Sequence, residues 1–348
     1  MTLLSIDLFF ILEKLILIAV IIFGSLGVAL YATYAERKVA AILQDRPGPN
    51  RVGPFGLFQP LADGLKLIAK EEIIPAGANR FLFILGPALA MIAALMTCAV
   101  VPWGDKAEIF GRTVKLQVAD VNIGFLYIFG VTSVGVYGIM IGGWASNNKF
   151  SLLAALRGAS QAISYELAMG LSLIALLMMT GTMQMGQIVK QQMGAGHHWN
   201  VLYQPLGFLL FLICAFAECN RTPFDLPEAE NELNFGYHQE YSSMKLGFYL
   251  FAEYINMFIS SVIMATLFFG GYDVPFINMA SFSPNVAAWI GIGSLMTKAV
   301  LFILFFMWVR WTVPRFRYDQ LMNLGWKSMV PLALINMLIT AVVILLRH

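Results

Sequence analysis

Residues 245–269 read KLGFYLFAEYINMFISSVIMATLFF, a run in which Lys245 and Glu253 are the only charged side chains. A helix needs about 20 predominantly apolar residues to cross the hydrocarbon core of a bilayer, so this run is long enough for one span. In lipid, a helix can satisfy all of its own backbone polar groups. The run therefore predicts a transmembrane helix that carries a carboxylate inside the membrane.

The rest of the chain has the same apolar character. Of its 348 residues, 59% are hydrophobic and 12% are charged, whereas soluble domains have about 25% charged residues. These properties predict an all-α polytopic membrane protein, with residues 1–348 forming a single membrane domain of about eight transmembrane helices. The candidate spans are 8–34, 80–102, 123–144, 162–182, 202–217, 245–269, 286–309 and 328–346.

Basic residues are distributed unevenly between the two sides of such a topology. Segments 36–80, 145–161, 217–245 and 310–327 together hold 15 Lys and Arg residues, whereas the opposite segments and the C-terminal tail hold 5. Lys and Arg accumulate on the cytoplasmic side of membrane proteins. The asymmetry predicts that these four segments are cytoplasmic and that both termini lie on the outer, periplasmic side of a bacterial cytoplasmic membrane. A net charge of +2 gives no indication of a nucleic-acid partner.

The first cytoplasmic segment, 36–79, contains a turn-rich stretch followed by a helical pattern. Residues 46–54 read RPGPNRVGP, which excludes regular helix. After Pro54 apolar residues recur at helical spacing on one face and polar residues on the opposite face. This pattern predicts an amphipathic helix lying in the membrane interface. The apolar face consists of Leu57, Phe58, Leu61, Leu65 and Ile68, and the polar stripe of Gln59, Asp63, Lys66 and Lys70.

The segment 217–244 concentrates negative charge in a chain that otherwise avoids it. Its carboxylates are Glu218, Asp225, Glu228, Glu230, Glu232 and Glu240. Buried carboxylates are costly unless they share protons or find partners, so this density favours proton handling. Two simpler interpretations remain open: Asp225-Leu-Pro-Glu228 also fits a helix N-cap with a capping box, and Glu230 and Glu232 also fit a solvated acidic face.

Further ionisable residues lie within or at the edges of apolar runs. Glu253 lies inside its span, where acids are usually functional, and Lys298 in the seventh span is its candidate counter-charge or one half of a structural ion pair. Glu166, early in the fourth span, favours a hydrated path, although a helix N-terminus would also stabilise it. Glu36 closes the first span beside the basic residue Arg37.

Redox-metal ligation by this chain is not expected. The three cysteines lack CxxC spacing, and none of the four histidines lies inside an apolar span. Residues 308–318, WVRWTVPRFRY, are typical of an aromatic and basic interfacial anchor.

Several of these segments together resemble one family, the quinone-chamber membrane subunit of respiratory complex I, the proton-pumping NADH:quinone oxidoreductase. The resemblance runs from roughly residue 30 to 330. It is carried by AERK at 35–38, GPNRVGP at 48–54, QPLAD at 59–63, SYE at 164–166, AECNRTPFDLPE at 217–228 and PRFRYDQ at 314–320.

The resemblance implies that the chain joins the membrane arm of the complex to its peripheral arm, borders the quinone tunnel and begins the charged path toward the pumping subunits. The implied partners are the iron–sulfur and quinone-site subunits of the peripheral arm and neighbouring membrane-arm subunits. Quinone would be the substrate, this chain would bind no cofactor itself, and NADH, flavin and iron–sulfur clusters would be bound by partner subunits.

The same resemblance implies roles for particular residues. The quinone chamber would include Glu36, Arg37, Asp63 and Arg221, with Leu57 and Leu61 on the interfacial helix bordering its entrance. The proton path would include Glu166, Glu218 and Glu253, fed by Asp225, Glu228, Glu230, Glu232 and Glu240. Lys298 is added to this path because of its position in the seventh span, as the candidate counter-charge of Glu253. Two alternative functions remain open: the related membrane subunit of a membrane-bound hydrogenase or ferredoxin-linked complex, and a stand-alone proton-coupled transporter.

Overall fold

The computed structural model describes residues 8–109, 112–193, 198–275, 277 and 282–347. Helices dominate these residues, which confirms the all-α prediction. They are α1 (Leu8–Leu43), α2 (Gln59–Ala69), α3 (Arg80–Thr97), α4 (Gly124–Ala145), α5 (Lys149–Thr180), α6 (Met185–Gln192), α7 (Asn200–Tyr203), α8 (Pro205–Glu218), α9 (Glu230–Leu233), α10 (Ser243–Phe268), α11 (Pro284–Thr312), α12 (Tyr318–Asn323) and α13 (Val330–Arg347).

Seven helical segments within the described ranges are long and apolar enough to cross a membrane. They are α1, α3, α4, α5, α10, α11 and the continuous helical stretch from α12 to α13, which a π-helix at Leu324–Met329 joins. The fifth of the eight candidate spans corresponds to α8, which is apolar but shorter. The protein is therefore a multi-pass membrane protein.

Two helices extend beyond the boundaries that hydropathy suggests. The first span does not end at Glu36, because α1 continues to Leu43 and Glu36 is buried within the bundle. The fourth span begins at Lys149 rather than at 162, and the side chain of Asn148 caps it by accepting a hydrogen bond from the amide of Phe150. Apolarity marks the stretch of a helix that faces lipid, whereas these helices continue into the polar region.

The predicted amphipathic helix is present as α2, which begins at Gln59, so Leu57 and Phe58 lie in the turn before it. Gly56 in this turn has φ +81°, and a Cβ there would lie 2.1 Å from the carbonyl oxygen of Pro49, so the turn requires glycine. The helix is tied to α10 by a hydrogen bond of 3.1 Å from the Ser243 hydroxyl to the Leu67 carbonyl. Its apolar face is largely exposed in the isolated chain, as a helix in the membrane interface requires.

The four basic segments meet at one end of the bundle, which we call the acidic end because the 217–244 loop forms its centre. Glu72 pairs with Lys245 there, and the amide of Asn148 donates to Glu240 over 2.7 Å. Arg315 in the last segment reaches Asp225 over 2.7 Å. The predicted grouping of these segments on one side is confirmed.

The opposite end carries a feature that the sequence did not suggest. Strands β1 (Lys106–Ile109) and β2 (Arg112–Lys115) form an antiparallel hairpin. The amide of Glu108 in β1 donates to the side chain of Asn285 at the start of α11, over 2.7 Å. We call this face the hairpin end.

The acidic loop does not form the predicted capping box. Helix α9 begins at Glu230 with Ala229 before it, and Asp225 lies in the preceding turns. Oδ2 of Asp225 is bound by Arg315 over 2.7 Å instead. The buried amide of Gln161 fixes the loop by donating to the carbonyls of Ala217 and Phe224.

Candidate functional site

A buried cluster in which two guanidinium groups bind one carboxylate surrounds Glu36, and we call it the Glu36 cluster. Its carboxylate lies 2.5 Å from Nη1 of Arg310 and 3.5 Å from Nη1 of Arg221. The hydroxyl of Tyr254 donates to the same carboxylate over 2.8 Å, and the Arg221 guanidinium lies 4.2 Å from the centre of the Tyr254 ring. The side chains of Glu36 and Arg221 are only 8% and 6% exposed. One carboxylate thus joins three helices and the acidic loop.

A second cluster is a row of three neighbouring carboxyl groups, which we call the carboxyl row: Asp225, Glu228 and Glu253. Glu228 is close enough to share hydrogen bonds with Asp225 on one side and with Glu253 on the other. The Tyr237 hydroxyl donates to Glu253 over 3.1 Å. Two carboxyl groups can share a hydrogen bond only when one is protonated, so the row holds protons.

The environment separates the proton affinities of two members of this row. Burial raises the pKa of Asp225, and the negative charge of Glu228 raises it further. The pKa of Asp225 reaches about 8, although Arg315 favours the charged form. Burial acts in the same direction on Glu228, but His238 and Arg221 outweigh it and hold the pKa of Glu228 below its ordinary value. At neutral pH the shared proton therefore lies on Asp225.

The row continues across a small cavity toward Glu218. The cavity has a volume of about 40 Å³, and its walls include Glu253, Tyr237, Asn256 and Glu218. A water molecule needs about 10–15 Å³ measured in this way, so the cavity has room for a few waters. Among the described atoms, the buried Oε2 of Glu218 has no hydrogen-bond partner, which is the kind of group that a buried water satisfies.

Glu166 is the next acid beyond Glu218. The two carboxyl groups are close enough to interact electrostatically. The Ser133 hydroxyl on α4 donates to Glu166 over 2.9 Å, so Glu166 points toward α4 inside the bundle. The structure therefore brings Asp225, Glu228, Glu253, Glu218 and Glu166 into one sequence of neighbours.

Glu232 and Glu240 of the loop have separate partners. Glu232 pairs with Arg157 over 2.6 Å, and Glu240 accepts from Asn148. These two acids connect the loop to α5 and to the residue that caps it. The Glu230 side chain lies outside the described part of the structure.

The expected ion pair between Lys298 and Glu253 is not formed. The Lys298 ammonium instead donates to three backbone carbonyls at the end of α10, those of Phe269, Gly271 and Asp273, over 2.8, 2.8 and 2.6 Å. Its partners lie at the hairpin end, because the chain leaves α10 there. The position of Lys298 near the middle of its apolar run does not determine which end of α10 its side chain reaches.

The remaining chamber residues lie on a more exposed surface next to the Glu36 cluster. Arg37 pairs with Asp63 of α2 over 2.7 Å, and their side chains are 52% and 36% exposed. Gln59 also donates to Asp63 over 3.0 Å. The four predicted chamber residues thus form two groups, which are connected because Glu36 and Arg37 are consecutive in α1.

A large open cleft lies beside the Arg37–Asp63 pair. It has a volume of about 680 Å³ and is lined by Arg37, Gln59, Trp311 and the 46–51 turn. Small-molecule sites typically have volumes of about 300–1,000 Å³ and combine apolar walls with a few polar groups. Leu57 and Leu61, in and after the neighbouring turn, are exposed.

Sequence reasoning missed several residues that complete the site. Arg310 and Arg315 belong to the stretch that was interpreted as an interfacial anchor, but they bind Glu36 and Asp225. Tyr254, one residue after Glu253, was not singled out, nor was His238, which lies in the acidic loop near Glu228. The surplus of acids over Arg221 in the loop was the available signal that cations from elsewhere must approach it.

Within the described ranges, no group of three or more His, Cys, Asp or Glu side chains is arranged to hold a metal ion. Cys98, Cys214 and Cys219 are free and buried.

Comparison with known proteins identifies the family. Residues 15–341 match the family model described as NADH dehydrogenase. An H subunit of the NADH-quinone oxidoreductase of Cytophaga hutchinsonii is 64% identical over 337 residues, which cover 97% of this chain and 98% of that protein. The H subunit of the Flavobacterium johnsoniae enzyme is 64% identical over 97% of each chain. The chain belongs to the family of NADH-quinone oxidoreductase H subunits.

Similar H subunits occur well beyond these two organisms. One from Geobacter metallireducens is 49% identical over 95% of this chain and 96% of its own length. The family assignment supports a membrane subunit of an NADH-quinone oxidoreductase and confirms the resemblance carried by the sequence motifs. It does not support the hydrogenase-type subunit or the stand-alone transporter.

Proposed function

We propose that this chain forms part of the quinone-binding chamber of a proton-translocating NADH:quinone oxidoreductase and the beginning of its intramembrane proton path. Electrons would come from NADH through the flavin and iron–sulfur clusters of partner subunits, and quinone would be the acceptor. The partners would be the iron–sulfur and quinone-site subunits of the peripheral arm and neighbouring membrane-arm subunits. The complex would lie in the bacterial cytoplasmic membrane.

The carboxyl row is the observation that carries the proton-path part of the proposal. In a purely structural arrangement a buried carboxylate is bound by cations, as Glu36 is by Arg221 and Arg310. Asp225, Glu228 and Glu253 are instead connected to one another, and a cavity for water lies between Glu253 and Glu218. Acids inside a membrane domain that share protons favour proton transfer over structural support.

The transfer that this geometry allows is simple. An O–H bond on protonated Asp225 breaks as one forms on the Glu228 carboxylate, so the two groups exchange charge. Once Glu253 has passed its own proton on toward Glu218, the same exchange moves the proton from Glu228 to Glu253, which the Tyr237 hydroxyl orients. Waters in the cavity would connect Glu253 with Glu218 and Glu166. Lys298 does not take part in this path, because three carbonyls already bind its ammonium.

The open cleft supports the quinone part of the proposal. Its polar lining, with Arg37 and Gln59, suits the carbonyl oxygens of a quinone ring, and Trp311 provides an aromatic wall. The exposed Leu57 and Leu61 would face the isoprenoid tail and the lipid. The Glu36 cluster lies between this cleft and the carboxyl row, so a change of charge in the cleft would act on both.

The assembled complex in inverted membrane vesicles provides the test. Glu253→Gln keeps the shape of the side chain and removes its titration, so quinone-dependent proton pumping should fall at least tenfold while the complex still assembles. Glu71→Gln is the matched control, because Glu71 is an exposed acid outside the row. Normal pumping by the Glu253→Gln complex would disprove the proton path.

The chamber has its own test. Leu61→Trp should slow the reduction of long-tailed quinones several-fold more than electron transfer to a soluble artificial acceptor. Leu338→Trp in α13 is the matched control, because it enlarges an exposed leucine far from the cleft. Equal losses with both classes of acceptor would contradict a tail-binding entrance at α2.

The orientation also remains a proposal, namely that the acidic end faces the cytoplasm and that both termini face the periplasm. It is supported by the excess of Lys and Arg at the acidic end. A cysteine introduced at exposed Glu232 should resist a membrane-impermeant thiol reagent added outside intact cells. Efficient labelling from outside would reverse the orientation.

A further inference from the structure

A second cleft opens at the acidic end, separate from the proposed quinone cleft. It has a volume of about 160 Å³, and its walls include Asp225, Glu232, Arg315 and Arg317. None of its lining residues belongs to the wall of the large cleft at the 46–51 turn. Its volume is sufficient for several water molecules.

Asp225 lies where this cleft meets the carboxyl row. Its Oδ2 is 2.7 Å from Nη2 of Arg315, and the two side chains are 2% and 36% exposed, respectively. The backbone amide of Phe316 donates to the carbonyl of Pro223 over 3.3 Å, which holds the arginine-bearing segment against the loop. The guanidinium thus covers a buried carboxylate while its own side chain is accessible from the cleft.

We propose that this cleft is a water-filled proton entrance to Asp225 and that Arg315 gates it. The inference rests on the proposed proton path and deepens it by identifying where protons enter from the aqueous phase, independently of the quinone cleft. When Arg315 contacts Asp225, the guanidinium covers the carboxyl group and separates it from water in the cleft. When the guanidinium turns toward the cleft, a proton from water binds Asp225 and neutralises it.

The proton then has a defined next acceptor. The O–H bond on Asp225 breaks as one forms on Glu228, whose ionised form is stabilised by His238 and Arg221. The negative charge that returns to Asp225 attracts Arg315 again, which closes the entrance behind the proton. Arg315 acts through Asp225 and is therefore a positioning residue.

The other charges around the entrance do not substitute for Arg315. Glu232 is paired with Arg157, and Arg317 with Asp319 over 3.2 Å. The charged groups that act on Asp225 directly are Glu228, Arg315 and Arg310, and Asp225 in turn acts on Glu253.

The test uses the whole complex in inverted vesicles and compares the pH dependence of quinone-dependent proton pumping in variants. The alkaline limb of the wild-type profile should reflect loss of the proton from Asp225, whose pKa is about 8. Arg315→Gln removes the opposing cation, so this limb should move up by about 1 pH unit and the maximal rate should fall several-fold. Arg315→Lys keeps the positive charge and should leave the alkaline limb near its wild-type position. Lys327→Gln is the matched control, because it removes an exposed cation outside the cleft lining, and it should also leave the limb in place.

A second variant keeps the proposal testable if Arg315→Gln does not assemble. Glu232→Lys adds a cation at the exposed cleft wall and should move the alkaline limb in the opposite direction, to lower pH. If the limb stays in place in every assembled variant, or if Arg315→Gln only lowers the rate equally at all pH values, the gate is disproved. Glu253→Gln separates the two proposals: unchanged pumping there refutes the proton path itself, whereas a loss there with no shift for Arg315 or Glu232 variants refutes the entrance alone.

Discussion

The Glu36 cluster and the carboxyl row lie side by side at the acidic end, and they manage buried charge in opposite ways. Glu36 is one carboxylate between Arg221 and Arg310, and the Tyr254 hydroxyl donates a hydrogen bond to it. In the carboxyl row, three carboxyl groups are neighbours of one another, and Arg315 reaches only the first of them at contact distance. The Glu36 cluster joins α1, α10, α11 and the acidic loop, whereas the carboxyl row lies on α10 and the acidic loop.

The difference determines what each cluster can do. A carboxylate that two guanidinium groups bind is held in an ion pair, so the Glu36 cluster orders the side chains around it. An unbalanced row must keep at least one proton, and a proton shared between carboxyl groups is available for transfer. Arg221 belongs to the first cluster but also stabilises ionised Glu228, so it couples the two.

The largest effect should follow from removing the charge of Glu36. In Glu36→Gln the hydrogen bond to Tyr254 can be kept, but two partly or fully buried guanidinium groups lose their counter-charge. Breaking a buried ion pair by removing one partner costs about 3–5 kcal/mol. The amount of assembled complex on native gels should therefore fall strongly.

Two further variants test whether charge balance is the reason. Glu36→Asp should assemble better than Glu36→Gln, because it keeps the charge. Removing one cation as well, in Glu36→Gln with Arg310→Gln, should partly restore assembly. A double variant that assembles worse than Glu36→Gln alone would contradict the interpretation that guanidinium groups without a counter-charge cause the loss.

The proton on Asp225 in the carboxyl row should make the stability of the complex depend on pH. The folded-state pKa of Asp225 is raised from 3.8 to about 8, so folding takes up a proton between these values. This contribution to the free energy of unfolding is fully present below the pKa of Asp225 in the unfolded state. It decreases as pH rises and is lost above the pKa of Asp225 in the folded state. The thermal stability of the wild-type complex should thus fall between pH 6 and 8 relative to Asp225→Asn, by at most about 2–3 kcal/mol. Parallel curves for the two complexes would mean that Asp225 carries no proton.

Lys298 provides a third arrangement of charge, a partly buried cation that three backbone carbonyls bind. Lys298→Gln should destabilise the hairpin end by about 2 kcal/mol, because hydrogen bonds to a charged donor are lost. The ratio of protons pumped to quinone reduced should remain at the wild-type value, since the residue lies away from the carboxyl row. A loss of pumping at full stability would return Lys298 to the proton path.

The sequence predicted the unusual acids better than their partners. Glu253 and Glu218 could be identified because a carboxylate next to or inside an apolar run is rare and costly. Arg310 and Arg315 could not, because a basic residue beside tryptophans at a helix end is normally an interfacial anchor. The partner of Lys298 was predicted wrongly because hydropathy gives the approximate depth of a residue but not the packing of neighbouring helices. The same limit hid the polar extensions of α1 and α5 and the hairpin.

The smallest effect should come from the exposed pair of Arg37 and Asp63, whose charges match but whose environment differs from that of Glu36. Solvent screens this pair, so Asp63→Asn should change stability by less than about 1 kcal/mol. Assembly should be normal, and the effect should decrease further at high salt. The KM for a short-tailed quinone should nevertheless rise several-fold, because Arg37 loses the partner that orients it toward the cleft. A stability loss as large as that of Glu36→Gln would show that solvent exposure does not separate these two sites.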